Sequence, residues 1–534
     1  MRKRASPASE SGARRNTKDI DMTNASAIPA APTLLQVPES SGREVFNGRM
    51  YIDGVWTESR DGQRFERRSP AHGDIVSTFP EATSADVEAA IAAADFAFRH
   101  GQWSKLKGSE RAQILLAIAD GISARVERLS LLESLETGKP LGQARGEVSG
   151  CVELWRYAAS LARTTSGDAY DTLGDDMLGI VLRQPVGVVG LITPWNFPLW
   201  ILSQKLPFAM AAGCTSVVKP SELTSSTTVM LMEVLEEAGV PPGVVNIVTG
   251  KGQTAGQPLA EHPAIDMLSF TGSTRIGIML GGLASKHLKK VALELGGKNP
   301  QIVFPDCDWE AMIDAVVFGV YFNAGECCNS GSRVLVHESI AERFAQAVVE
   351  RARQVPVGDP LHPDAKVGAI VSESQLNEIL GYVAKGVAAG ARLRLGGKRY
   401  DADGLYLEPT IVSDVSPNMS LARDEVFGPV LAIIPFMDVQ HAIEIANDTA
   451  YGLSAAVWSN DINTCLTVAR GVDAGTVWVN TFLDGYPELP FGGFKASGVG
   501  RELGKQAVED YTQTKTIQLH IGERKNWWLP RTPD

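Results

Sequence analysis

Val186-Gly187-Val188-Val189-Gly190-Leu191-Ile192 is a short, β-branched, uninterrupted apolar run. A strand with apolar residues on both faces leaves no side for water, which points to a parallel sheet covered by helices. Three further runs repeat the pattern: Thr215-Ser216-Val217-Val218, Val244-Val245-Asn246-Ile247-Val248 and Met267-Leu268-Ser269-Phe270, with helical periods between them. Buried strands alternating with helices give an α/β fold. The alternation resumes from Gln301-Ile302-Val303-Phe304 to Thr476-Val477-Trp478-Val479-Asn480, so a second α/β lobe is expected. At 534 residues the chain exceeds what one hydrophobic core organises, in keeping with two or three lobes.

Upstream, Met50-Tyr51-Ile52-Asp53-Gly54-Val55-Trp56 reads as strand, turn and strand, with Asp-Gly at the turn. Thr83, with Asp86 and Glu88 behind it, caps a helix running to Phe98. Amphipathic stretches follow over 109–137 and 141–164. Residues 1–45, rich in Ser, Ala, Pro and Arg, are expected to be a disordered tail.

Hydrophobic residues make up 44% and charged residues 21%, the balance of an ordinary globular protein, and no apolar run is long enough for a membrane span. The net charge of -12, with no basic stripe beyond the N-terminus, argues against nucleic acid and for small-molecule ligands. Cys151, Cys214, Cys307, Cys327, Cys328 and Cys465 are too irregularly spaced for a disulfide framework or a zinc site. No metal is expected, and a reducing, cytoplasmic location fits.

Ligands gather at the carboxyl ends of strands in such sheets. After the first strand comes Thr193-Pro194-Trp195-Asn196-Phe197-Pro198-Leu199-Trp200, where the Asn196 amide is a candidate donor to a developing oxyanion. After the second comes Lys219-Pro220-Ser221-Glu222, a cation and an anion close together. After the fourth comes Thr271-Gly272-Ser273-Thr274-Arg275-Ile276-Gly277, a turn opening a helix whose N–H groups suit a phosphate. This is not the full glycine fingerprint, and Glu222 precedes the glycines instead of following them, so a standard Rossmann reading is wrong in detail. In Ala292-Leu293-Glu294-Leu295-Gly296-Gly297, a lone carboxylate sits among apolar residues, where burial would raise its pKa toward that of a useful base. In Phe322-Asn323-Ala324-Gly325-Glu326-Cys327-Cys328-Asn329-Ser330-Gly331-Ser332-Arg333, two thiols stand where a buried element opens into a turn. The pair reads either as core cysteines or as a nucleophile with its neighbour.

Taken in order, these segments with Glu425-Val426-Phe427-Gly428-Pro429 and Pro490-Phe491-Gly492-Gly493-Phe494-Lys495 resemble the NAD(P)-dependent aldehyde dehydrogenase superfamily, from about Phe46 to Leu519. The resemblance implies two parallel-sheet lobes, a variant Rossmann cofactor lobe (46–165 and 185–295) and a catalytic lobe (296–496). It also implies a strand oligomerisation arm (166–184 and 512–521) and a homodimer or homotetramer. It implies oxidation of an aldehyde to the acid with NAD, NADP being less favoured because Glu222 would repel a 2′-phosphate. Cys328 is then the nucleophile, Glu294 the activator of water, Asn196 the oxyanion donor, and Lys205 and Glu502 a proton path. Thr193, Pro194, Trp195, Lys219, Ser221, Glu222, Gly272, Ser273, Leu295, Glu425 and Phe427 would hold the cofactor. The presence of Glu294 argues for hydrolysis over transfer to coenzyme A.

The pocket expected from the same resemblance comprises Phe197, Trp200, Gln204, Cys327 and Phe491. Gln204 stands where an aromatic is frequent, which favours aldehydes bearing a polar group; Glu326 stands where Gln is frequent and is expected to matter little if its side chain points away from the thiol. Asp484 and Glu488 would suit a semialdehyde or amino-aldehyde substrate. A non-catalytic binding protein on the same fold is the reading from a different class, and retention of Cys328 with Glu294 argues against it.

Overall fold

The apolar runs assemble into two sheets, in a computed structural model that describes residues 28–36, 44–523, 527–529 and 531. The first sheet is ordered Gly498–Val499, Lys290–Glu294, Met267–Thr271, Val188–Ile192, Thr215–Lys219, Val245–Ile247, Met50–Ile52, Val55–Thr57. Its five middle strands are parallel, and those from Val188 and Thr215 are buried at every residue. Asp53 and Gly54 make the outer hairpin turn with φ of 52° and 77°, the left-handed pair that Asp-Gly supplies. The second sheet runs Arg392–Leu395, Thr410–Ser413, Val430–Phe436, Arg333–His337, Pro300–Val303, Ser454–Trp458, Thr476–Val479, parallel except for its first strand.

Each sheet has its own core. One centres on Val334, Leu335, Ile411 and Val457, and the other on Trp103, Trp155, Leu206 and Phe208. The chain passes between them through residues 295–299, all buried, so Glu294 closes a strand of one sheet just before Pro300 opens a strand of the other. After the second sheet, Gly498–Val499 returns to pair antiparallel with Lys290–Glu294, which brings Glu502 back to the first lobe. Met177–Pro185 pairs with both Asp168–Tyr170 and Thr512–His520 in a separate, largely exposed antiparallel sheet.

Two expectations are corrected. The stretch 109–137 is two helices, Gly108–Ser123 and Val126–Thr137, because Arg125 leaves helical geometry with φ -116° and ψ 13°. The segment expected as a disordered tail is ordered over residues 28–36. Leu35 bonds through its backbone to Val357 at 2.8 Å and Asp359 at 2.9 Å, and Leu34 packs on the second core. The paired leucines are the apolar anchor that a Ser, Ala and Pro-rich composition obscures. The rest of the expected tail, residues 1–27 and 37–43, lies outside the described residues.

Candidate active site

The helix Trp309–Tyr321 ends at Phe322, and the chain turns through Asn323, Ala324 and Gly325 with φ of 52°, 55° and 72°. Three successive left-handed residues are costly, so outside contacts must hold them. Gly325 lies against the second lobe's loop, where a Cβ would fall 2.2 Å from the Gly428 carbonyl oxygen. Asn323 Nδ2 donates to the carbonyls of Glu326 at 2.9 Å and Asn196 at 3.3 Å. Beyond the thiols, Asn299 Nδ2 donates to the carbonyls of Cys328 at 2.7 Å and Ser330 at 3.0 Å, while its Oδ1 accepts from Ser454 N–H at 3.1 Å. Asn299 and Asn323 thus fix the loop from both sides. Neither was assigned a role from sequence; the available signal was a polar amide beside long buried runs.

Cys328 is partly exposed and Cys327 buried among Phe197, Ile201, Trp200 and Phe322, so only the former thiol is open to a ligand. The Cys328 thiol donates to Asn329 Oδ1 at 3.6 Å. The adjacent Cys327 thiol, then burial and the Glu425 and Glu294 carboxylates, hold the Cys328 pKa well above the ordinary thiol value, while the influence of Cys328 lowers that of Cys327. Asn196, buried ahead of the helix Pro198–Ala212, donates one Nδ2 hydrogen to Glu326 O at 3.1 Å and keeps the second available. Glu326, expected to matter little, is 3% exposed and accepts from Val371 N–H at 3.1 Å, tying the thiol loop to the second lobe. Burial raises its pKa well above the ordinary carboxylate value, against the lowering effect of the Val371 N–H and the Lys139 and Arg67 charges.

Glu294 is buried, and neither of its oxygens has a hydrogen-bond partner among the described residues. Burial first, and then the negative Glu502, push its pKa well above the ordinary 4.5. Its carboxylate lies over Gly492, where a Cβ would come within 2.7 Å of Oε1. Nearby, Lys205 Nζ pairs with Glu502 at 2.6 Å and donates to Ser269 Oγ at 3.0 Å, in a pair no more than 2% exposed. Tyr511 OH reaches the same serine at 3.4 Å.

The strand-end stations also come together. Thr193 N–H donates to the Lys219 carbonyl at 3.1 Å, and its buried hydroxyl has no partner among the described residues. Buried Lys219 pairs at 3.3 Å with Glu222, whose side chain is 39% exposed, and Ser221 turns the chain between them. Gly272 N–H donates to Glu294 O at 3.0 Å, and Ser273 precedes the helix Thr274–Ser285 without capping it, so the helix N–H groups stay open. Leu295 N–H is held by Ser497 O at 2.9 Å. Glu425 accepts from Gly297 N–H at 3.0 Å, and burial raises its pKa to about 7. Phe427 has φ 55° and meets Trp195, which follows Pro194, edge to face at 5.3 Å; Gln375 fixes its carbonyl at 3.0 Å.

The expected pocket residues are less uniform. Phe197 stacks on Phe322 at 6.1 Å, while the Trp200 ring also covers Gly150. Gln204 is partly buried, as is Phe491, whose backbone pairs with Glu502 at 2.7 Å in both directions. Burial, and then the nearby Glu488 carboxylate, raise the pKa of Tyr157, which packs near Phe208 in the first lobe. Asp484 instead accepts from the Thr481 hydroxyl and is less free to meet a ligand.

Residues 56–517 match the model of the aldehyde dehydrogenase family. The chain is 42% identical over 472 residues to betaine aldehyde dehydrogenase of Bacillus subtilis (strain 168), covering 88% of this chain and 96% of that protein. It superposes on the crystal structure of NAD-dependent aldehyde dehydrogenase from Sinorhizobium meliloti with a TM-score of 0.91 and 48% identity, over 92% of this chain and 99% of that one. Betaine aldehyde dehydrogenase from Staphylococcus aureus, solved in complex with NAD+, matches with a TM-score of 0.89 and 39% identity, over 91% and 97%.

Proposed function

The chain belongs to the aldehyde dehydrogenase family, which oxidises aldehydes to acids, and from that premise we propose how its own residues carry the reaction. Cys328, after passing its thiol proton to solvent water, adds as the thiolate to the carbonyl carbon; the C=O π pair moves to oxygen, and the resulting oxyanion is held by Asn196 Nδ2 and the Cys328 N–H. A donor of this kind contributes roughly 3 kcal/mol in other acyl-transfer sites. NAD, when bound, supplies the hydride acceptor that turns this adduct into a thioester. Glu294 then takes a proton from water, the water oxygen bonds to the acyl carbon, and the carbon–sulfur bond breaks to release the acid. The proton leaves by Glu502 and Lys205.

The residues present fit such a cofactor. The uncapped helix at Ser273 suits a pyrophosphate, exposed Glu222 beside Lys219 suits ribose hydroxyls, and Glu425 with Phe427 suits the nicotinamide end. NAD is favoured over NADP because Glu222 would oppose a 2′-phosphate. The relatives described as NAD-dependent or NAD-bound support the choice.

One observation carries the hydrolytic reading: Glu294 is a buried carboxylate with both oxygens unpaired among the described residues, poised for a ligand water. The test follows reduced cofactor and free acid with purified protein and an aldehyde panel. One acid per reduced cofactor is expected; no aldehyde-dependent turnover would favour the non-catalytic reading. For substrate we favour small or medium aldehydes with a polar or cationic group, on Gln204 and on Glu488 beside Tyr157. The betaine aldehyde relative points the same way. Higher kcat/KM for plain alkanals of equal length than for amino-aldehydes would sink this choice.

The exposed sheet around Met177–Pro185 is the proposed arm for pairing with a second copy, checked by light scattering before and after deletion of 512–521. A reducing, cytoplasmic setting agrees with six free cysteines, and among the described residues no helix is long and apolar enough to cross a membrane.

A further inference from the structure

Gln143 lies on the helix Leu141–Thr164 of the first lobe, 180 residues from the turn it touches. Its Oε1 accepts the Asn323 backbone N–H at 3.2 Å, and its Nε2 donates to Asn323 Oδ1, also at 3.2 Å. Both faces of one residue are thereby read by one amide, and that residue holds φ 52°. The remaining hydrogen of Gln143 Nε2 goes to Glu147 Oε1 at 2.7 Å, which fixes which end of the amide faces Asn323. Glu147 is anchored by Lys139, which also pairs with Glu133 at 3.1 Å, all three being buried. Lys139 Nζ in turn sits 4.4 Å from the centre of the Phe197 ring, next to Asn196.

We propose that Gln143 is a positioning residue for oxyanion stabilisation. By gripping Asn323 at two points it orients the Asn323 Nδ2 that holds the Asn196 and Glu326 carbonyls, and so aims the Asn196 amide. The Lys139, Glu133 and Glu147 cluster acts as the anchor, carrying the rigidity of two first-lobe helices across to the thiol loop. Removing the grip lets the left-handed turn relax and the donor swing away, which weakens transition-state binding more than substrate binding. This inference rests on the oxidative reading above.

The test compares wild type, Gln143→Met, Asn323→Gly and the double variant by the rate of the first cofactor-reduction burst. Methionine keeps length and volume without polar atoms, and glycine keeps the left-handed backbone without the amide. Gln143→Met is expected to slow the burst about 10-fold, with KM for aldehyde changed less than about 2-fold. If Gln143 acts through Asn323, the double variant matches Asn323→Gly alone. Gln143→Glu adds a pH signature: its burst should recover as pH falls and the introduced carboxyl regains a donor proton. Additive effects in the double variant, or an unchanged burst in Gln143→Met, would overturn the proposal. A wild type that oxidises no aldehyde would instead defeat the functional reading, so the two failures are distinguishable.

Discussion

The cofactor-side stations and the thiol loop reach the same cleft by opposite means. Lys219 ends a strand of a parallel sheet and Thr193 and Ser273 come just after one, so backbone ladder bonds set their positions and neighbours in sequence complete them. The thiol loop has no ladder through 322–332; it holds three left-handed residues by amides from Gln143, Asn196 and Asn299. A station on a sheet tolerates loss of one side chain, because its backbone is independently fixed. A loop held by distant amides does not. Substitutions at the loop should therefore act on rate, and those at the stations on cofactor choice and KM.

The largest effect tests the loop itself. Cys328→Ala should lower turnover by about 10⁴-fold, as loss of a nucleophile does in comparable sites, whereas Cys327→Ala should keep most activity because its thiol is buried away from ligand. Steady-state rates that fall equally in both would break the assignment of one reactive thiol. Next, Glu294→Gln should retain a stoichiometric burst of reduced cofactor while steady turnover falls roughly 10²- to 10⁴-fold, the range for a lost general base. Only the carboxylate accepts a proton, and burial raises its pKa, so wild-type turnover should rise with pH through a limb above the usual carboxylate range. That limb should vanish in Glu294→Gln; a wild-type pH profile flat from acid to neutral would contradict it.

Asn299→Ala sharpens the contrast between regions. It leaves two loop carbonyls, and the N–H of Ser454 on the strand Ser454–Trp458, without their partner, at roughly 1–3 kcal/mol for each buried group. Thermal stability and kcat should both drop, kcat by about 10- to 100-fold; an unchanged kcat would mean that the loop is self-supporting. The smallest effect belongs to the station. Glu222→Ser should leave kcat with NAD nearly intact and narrow the NAD over NADP preference by roughly 10-fold, which corresponds to about 1.4 kcal/mol. Wild type with higher kcat/KM for NADP would reverse the reading of that station.

The same contrast explains what could be read in advance. Both sheets, the stations and the segments carrying Glu294 and Cys328 were legible because hydrophobic period and strand-end position are local properties. Gln143 was unnoticed, since a partly buried glutamine on a helix looks like any surface residue until its partner 180 positions away is known. The ordered segment 28–36 escaped for a related reason: two leucines in a polar stretch gain a place only where another lobe offers an apolar surface.

The sequence by itself determined the α/β class, the order of the chemical stations and the segments that carry the two candidate thiols and the candidate carboxylate. Only the tertiary structure decided which thiol is open, why Glu294 is left without a partner, and how three left-handed residues are held. Those properties depend on burial and on hydrogen bonds between distant segments, and both exist only once the two lobes pack together.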